Sequence, residues 1–192
     1  MCISPTRKYL LRPQLTFCDK PFSTNGTITA FKVYWNSLST KPPGRKIAHK
    51  IRDYRKEGGD VIYTMDTHQE DYLTTQEGRK LPVEHCIEDT PGHRLYGFTA
   101  KERTDKDKVF YKDTFGSLEL ADHLKFKSYD TVELVGVVTN MCVLANAVMI
   151  KTALPETEVI VNTEYTAAPD AELEAKAYDV MEGLQITVVR PE

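Results

Sequence analysis

A cysteine, a lysine and a short run of carboxylate and imidazole residues have the types and spacing that could do chemistry. Cys142 lies in Gly136-Val137-Val138-Thr139-Asn140-Met141-Cys142-Val143, which joins an apolar, β-branched run to a helical pattern. A cysteine at a helix N-terminus meets unpaired N–H groups and the positive end of the dipole, which favour a thiolate. The same N–H groups can hold an oxyanion. The position equally suits a small buried hydrophobe, the commonest use of a free cysteine. Lys112 ends the short run Val109-Phe110-Tyr111. Alone it reads as a solvated lysine. In one plane with Cys142 it would lower the thiol pKa or orient an acid.

Asp66, His68, Glu77 and His85 fall within 20 residues. An Asp and a His two apart, leaving a strand, can point at one ion. Carboxylate oxygen and neutral imidazole suit Zn²⁺, and Fe²⁺ or Mn²⁺ less specifically. A polar loop with surface histidines gives the same letters. His49, His93 and His123 carry no comparable pattern. The four cysteines, Cys2, Cys18, Cys86 and Cys142, form no CxxC pair. No signal-peptide pattern opens the sequence, so free thiols in a reducing cytoplasm are expected.

These residues need elements to position them. Ile47, Ile51 and Tyr54 recur at helical spacing, and Gly58-Gly59 stops that helix. Val61–Met65 reads as a strand ending at Asp66. Val109–Tyr111 is a second strand, and Gly116–Lys125 a helix carrying Leu118, Leu120 and Leu124. Thr131–Thr139 reads as a buried parallel strand. Met141–Ala153 is a helix with Val143, Ala147 and Ile150 on one face, and Leu144 and Val148 on another. Glu158–Asn162 and Gln185–Val189 are further strands, separated by a helix from Pro169-Asp170 to Met181. The polar stretch from Gln69 to Lys108 is long for a structureless loop and reads as a site wall. Alternating strands and helices predict an α/β domain with a mostly parallel sheet, whose ligands bind at the carboxyl ends of the strands. No GxGxxG or P-loop supports nucleotide binding.

The 192 residues suffice for one domain with a sizeable core. The net charge of -3 argues against nucleic-acid binding through a basic surface. No apolar run approaches the ~20 residues of a membrane span. The average hides a split: residues 1–45 carry +6 with a single acid, Asp19, and five of the ten prolines, whereas residues 46–192 carry -9.

With the chemistry gathered, residues 46–192 resemble the isochorismatase-like cysteine hydrolases, and within them the nicotinamidases. The resemblance rests on DTHQEDY (Asp66–Tyr72), EGRKLPVEHC (Glu77–Cys86), the following TPGHRLYG, YKDTF around Lys112 and GVVTNMCV around Cys142. It implies a three-layer, Rossmann-like fold and hydrolysis of nicotinamide to nicotinate and ammonia through a cysteine thioester. It also implies a symmetric homo-oligomer. Cys142 would be the nucleophile and Lys112 its helper. The amides of Val138 and Cys142 would form the oxyanion hole, beside a cis peptide at Val137–Val138. Asp66, His68 and His85 would ligate a divalent metal, zinc before iron or manganese, with Glu77 direct or through water. The metal would hold a pyridine nitrogen. Where many relatives have a second histidine, this sequence has Asp71-Tyr72, which favours the ligand set with Glu77. Tyr72, Phe115 and Tyr165 are candidates for the aromatic walls.

The family's first strand ends in an Asp that serves as general base. Residues 1–45 show no such strand, so the first strand is expected to be abnormal or missing. Asp19 is the single candidate acid. Three accounts fit: Asp19 reaches the site by an unusual path, the chain binds without turnover, or residues 1–45 are a reading-frame artefact. The abrupt change of composition favours the artefact. Another small-amide or carbamoyl hydrolase, and a non-catalytic metal- or ligand-binding protein, are the rival functions.

Overall fold

The computed structural model describes residues 26–31 and 44–191. Asp19 lies outside them. Six parallel strands form one sheet in the order β3-β2-β1-β4-β5-β6: β1 Gly26–Phe31, β2 Asp60–Asp66, β3 Lys108–Lys112, β4 Thr131–Val137, β5 Glu158–Ala167 and β6 Thr187–Val189. The longer helices are α1 Gly44–Lys56, α4 Leu118–Leu124, α5 Leu144–Ala153 and α6 Ala171–Gly183, with the short α2 Gln76–Lys80 and α3 Gly97–Glu102 in the polar stretch.

This is the expected α/β architecture with a parallel sheet flanked by helices. The first-strand position, read from the sequence as abnormal or missing, is filled: β1 pairs with β2 on one side and β4 on the other. Its GTITAF sequence holds no long apolar run, which hid it from a reading tuned to hydrophobicity.

Helix α5 and the residue before it bury Ala147, Ile150 and Val143 in the main core with Leu120, Leu124, Val132, Leu134, Val159, Val161 and Met181. Their repeat brings one face against the sheet. Of the three leucines that the sequence puts on this helix, Leu120 and Leu124 are buried one turn apart and Leu118 is 77% exposed, because residues two apart on a helix point to opposite sides. A second core, with Ile47, Ile51, Val61, Tyr63 and Val135, seats α1 on the other side of the sheet. Strand β5 continues beyond Asn162, because its register against β4 shifts between Leu134 and Gly136 and takes up the polar residues 162–165 in a bulge.

The chain runs from β1 outward to β3, then crosses back to β4 and runs outward to β6. The direction reverses between β1 and β4, and the carboxyl ends of strands at such a reversal form the ligand crevice.

Candidate active site

Sheet register brings the first pair of groups together. Asp66 and Lys112 are the last residues of β2 and β3 and are direct partners across the parallel pairing. The Lys112 ammonium donates to Asp66 Oδ1 and, at 2.8 Å, to the Thr114 carbonyl. Cys142 arrives from β4. After the strand, the Val137–Val138 peptide is cis and residues Thr139–Val143 form a π-helical turn that leads into α5. Such turns recur where a side chain must be re-aimed at a site. Lys112 Nζ stands 3.5 Å from Cys142 Sγ, and both Asp66 oxygens lie 3.9 Å from that sulfur. The Val138 amide also faces the sulfur and favours its thiolate.

Burial sets the electrostatics. It pushes the Cys142 thiol up, while Lys112 opposes that rise. It pushes the Lys112 ammonium down, while Cys142 opposes that fall. Each charged form is costly alone and favoured by its partner.

A second group adjoins this one. Ligand atoms of Asp66, His68 and His85 lie within 4.8 Å of one another. The pairing of His68 with Ile87 carries the later segment past the earlier one: His68 N–H donates to the Cys86 carbonyl, and Glu88 N–H to the His68 carbonyl. Cys86 turns the chain with φ 52°. Glu77 enters from α2, where the Thr75 side chain caps the helix by accepting from Gly78 N–H. A Cβ at Gly78 would stand 2.0 Å from the Tyr72 carbonyl oxygen, so only glycine lets α2 approach this closely. Glu77 Oε1 is 3.7 Å from Nε2 of both His68 and His85, too far for a hydrogen bond. This oxygen is buried without a hydrogen-bond partner among the described residues. Burial pushes the Glu77 carboxyl up, and His85 opposes the shift. A buried oxygen facing two imidazole nitrogens across a gap fits a divalent cation, whose tetrahedral ligands stand roughly 3.4 Å apart.

The candidate walls separate. Tyr72 is fully buried; its ring packs 4.7 Å from His68 and 4.9 Å from His85, and its hydroxyl donates to the Leu81 carbonyl. Its ring packs on both imidazoles and its hydroxyl ties it to the end of α2. Tyr165 packs on the α1-side core, with Lys50 Nζ 5.1 Å from its ring centre. Phe115 stays half-buried next to the Lys112 loop. A groove of about 450 Å³ opens beside Lys112, lined by Thr67, Tyr111 and Leu118 among others. A larger one, about 800 Å³, lies at the amino ends of β2 and β3 and touches none of these groups.

Three further residues, none given a role by the sequence reading, make contacts around the site. His93 Nε2 lies 2.8 Å from the Thr67 hydroxyl, between the two first ligand candidates in sequence. Thr139 donates to Glu174 of α6, which fixes the turn before Cys142. Asn146 joins the Cys142 and Lys112 loops. Thr139 and His93 stand in the quoted GVVTNMCV and TPGHRLYG runs without an assigned role; Asn146 stands in neither, and only its spacing, one helical turn after Cys142, offered a signal.

Residues 35–191 match the family model described as the isochorismatase domain, which spans most of the chain. The chain belongs to the isochorismatase family. Its members' shared fold is visible in solved structures. The pyrazinamidase/nicotinamidase of Streptococcus mutans UA159 superposes with a TM-score of 0.73 at 21% identity, over 85% of this chain and 99% of that one. The pyrazinamidase of Pyrococcus horikoshii in complex with zinc gives 0.72 at 20%, over 87% and 99%. An isochorismatase family protein of Desulfovibrio vulgaris gives 0.72 at 18%, over 88% and 95%. No curated protein matches the chain in sequence. As an isochorismatase-family hydrolase, the chain places its chemistry-bearing residues at the crevice of the sheet. No helix among the described residues is long and apolar enough to cross a membrane.

Proposed function

We propose that this chain is a metal-dependent nicotinamidase, hydrolysing the carboxamide of nicotinamide to nicotinate and ammonia in the cytoplasm. The observation that carries this reading is one continuous cluster: Cys142 against Lys112 and Asp66, with Asp66 shared by the His68–His85–Glu77 group. The pyrazinamidase and nicotinamidase neighbours support it, since they act on ring carboxamides by name.

Cys142 Sγ attacks the carboxamide carbon. Lys112 and Asp66 are the described side chains that bond the Cys142 sulfur, at 3.5 and 3.9 Å, and so are placed to take up the thiol proton. The Val138 and Cys142 amides stabilise the resulting oxyanion. The C–N bond breaks and ammonia leaves with the transferred proton. Water then attacks the thioester, releasing nicotinate and restoring the thiol. Asp66, His68, His85 and Glu77 would hold the metal, zinc by donor set, which supplies a Lewis acid for the pyridine nitrogen and so orients the ring.

The test is ammonia release from nicotinamide by the full chain, with Cys142→Ala as control and metal content measured on the same sample. Turnover that Cys142→Ala abolishes, with about one metal per chain, supports the reading. Turnover confined to other amides, without metal, assigns another small-amide hydrolase. No turnover, and no adduct of Cys142 with a nicotinaldehyde analogue, leaves a non-catalytic binding protein.

A further inference from the structure

We infer that Asn146 is a positioning residue that clamps the Lys112 loop to the nucleophile turn and thereby sets the Cys142–Lys112 distance. The inference rests on the proposed hydrolase reading but is read partly without substrate. Asn146 is fully buried in the first turns of α5. Its amide uses its hydrogen-bonding groups across two segments. Nδ2 donates to the Cys142 carbonyl and to the Phe115 carbonyl, each at 2.8 Å, while Oδ1 accepts from Ser117 N–H at 3.0 Å.

Those contacts close a loop of interactions around the reacting atoms. Lys112 Nζ is tethered to the Thr114 carbonyl, one residue before Phe115, and stands 3.5 Å from Cys142 Sγ. Asn146 therefore holds both ends: the carbonyl of the nucleophile itself and the backbone just beyond the lysine's tether. A second observation shows that the two segments are pressed together. A Cβ on Gly116 would stand 2.5 Å from Met149 Sδ and 3.8 Å from Ala145 Cβ, so the loop lies directly on α5. The same clamp seats the α4 cap, because Ser117 accepts from Leu120 N–H while its own N–H goes to Asn146.

An aspartate keeps the shape and the acceptor for Ser117 but turns a two-proton donor into an acceptor facing two carbonyls. A leucine keeps the volume and removes every bond. In either variant the Phe115 and Cys142 carbonyls lose their shared donor, which loosens the lysine loop from the nucleophile turn, whereas Asp66, His68, His85 and Glu77, the groups that would hold the metal and through it the ring, make no bond to Asn146. A displacement of this kind costs rate steeply and binding little.

The experiment compares Asn146→Asp, Asn146→Leu and Gly116→Val with the full-length parent, each checked for folding by circular dichroism. Ammonia release should show kcat lowered at least about tenfold with KM within about twofold. Carbamidomethylation of Cys142 by iodoacetamide, followed by peptide mass at one pH, should slow in parallel. Gly116→Val lifts the loop from the other side and should reproduce the loss with Asn146 intact. Folded variants whose kcat and Cys142 labelling rate both equal the parent's, with only the melting temperature lowered, would overturn the inference. A parent that releases no ammonia from nicotinamide refutes the nicotinamidase reading alone; the labelling rates still decide the clamp.

Discussion

Asp66 is the most contested residue of the site. It accepts from Lys112, lies 3.9 Å from the Cys142 sulfur and offers an oxygen to the His68–His85 group. The sequence marked it as a ligand through the D-x-H spacing, but its hold on Lys112 follows from strand register and was not legible in the letters. A consequence concerns Lys112, whose side chain is 4% exposed against 17% for Asp66. Lys112→Met removes the ammonium from a mostly buried carboxylate, an uncompensated charge that costs about 3 kcal/mol in metal-free protein. Denaturant unfolding should show that loss, and added Zn²⁺ should recover part of it by neutralising Asp66. Ammonia release by the same variant should fall at least about a hundredfold, since the Lys112 ammonium stands 3.5 Å from the Cys142 sulfur.

Helix α5 shows how an element turns pattern into position. Its Val143, Ala147 and Ile150 repeat was legible in the sequence and anchors the helix in the main core. Its first turn was not: the sequence reads as ordinary helix from Met141, whereas Thr139–Val143 winds as a π turn behind a cis peptide. Side-chain periodicity reports the face that packs, and is silent on the hydrogen-bond spacing of a single turn. Ile150 is fully buried, so Ile150→Ala opens a cavity and should cost about 3 kcal/mol in urea unfolding. Because Ile150 lies two turns beyond Cys142, the folded fraction should keep near-parental turnover, which a stopped ammonia assay below the unfolding transition checks.

At the scale of the molecule, β1 decides whether there is one sheet or two pieces. It alone joins β2 to β4 among the described strands. The composition split at residue 45 suggested that the ordered domain begins near residue 46. A chain starting at Gly44 would instead leave the facing edges of β2 and β4 with unpaired backbone groups, buried and unsolvated. It should fail to show a cooperative melt, and intact-mass measurement of the full chain tests the frame-artefact account directly. Alkali gives a second prediction. Burial raises the phenols of Tyr54, Tyr63 and Tyr129, Tyr63 to about 12. The unfolded chain releases these protons near pH ~10, earlier than the folded one. Their contribution to stability is therefore complete below that pH and lost as pH rises through the folded values. Circular dichroism should show unfolding in that window, with phenolate absorbance rising in the same step.

The letters alone determined the α/β class, the amphipathic face of α5, and the residue types able to act as nucleophile, cation and ligands, because hydrophobic period and side-chain chemistry are local properties. Only the tertiary structure decided which of them meet. Register set Asp66 on Lys112, the reversal between β1 and β4 set Cys142 at the same crevice, and the His68–Ile87 pairing brought His85 to His68. It also packed Tyr72 on His68 and Tyr165 against the α1-side core. Those placements depend on contacts between residues distant in sequence, which no local pattern encodes.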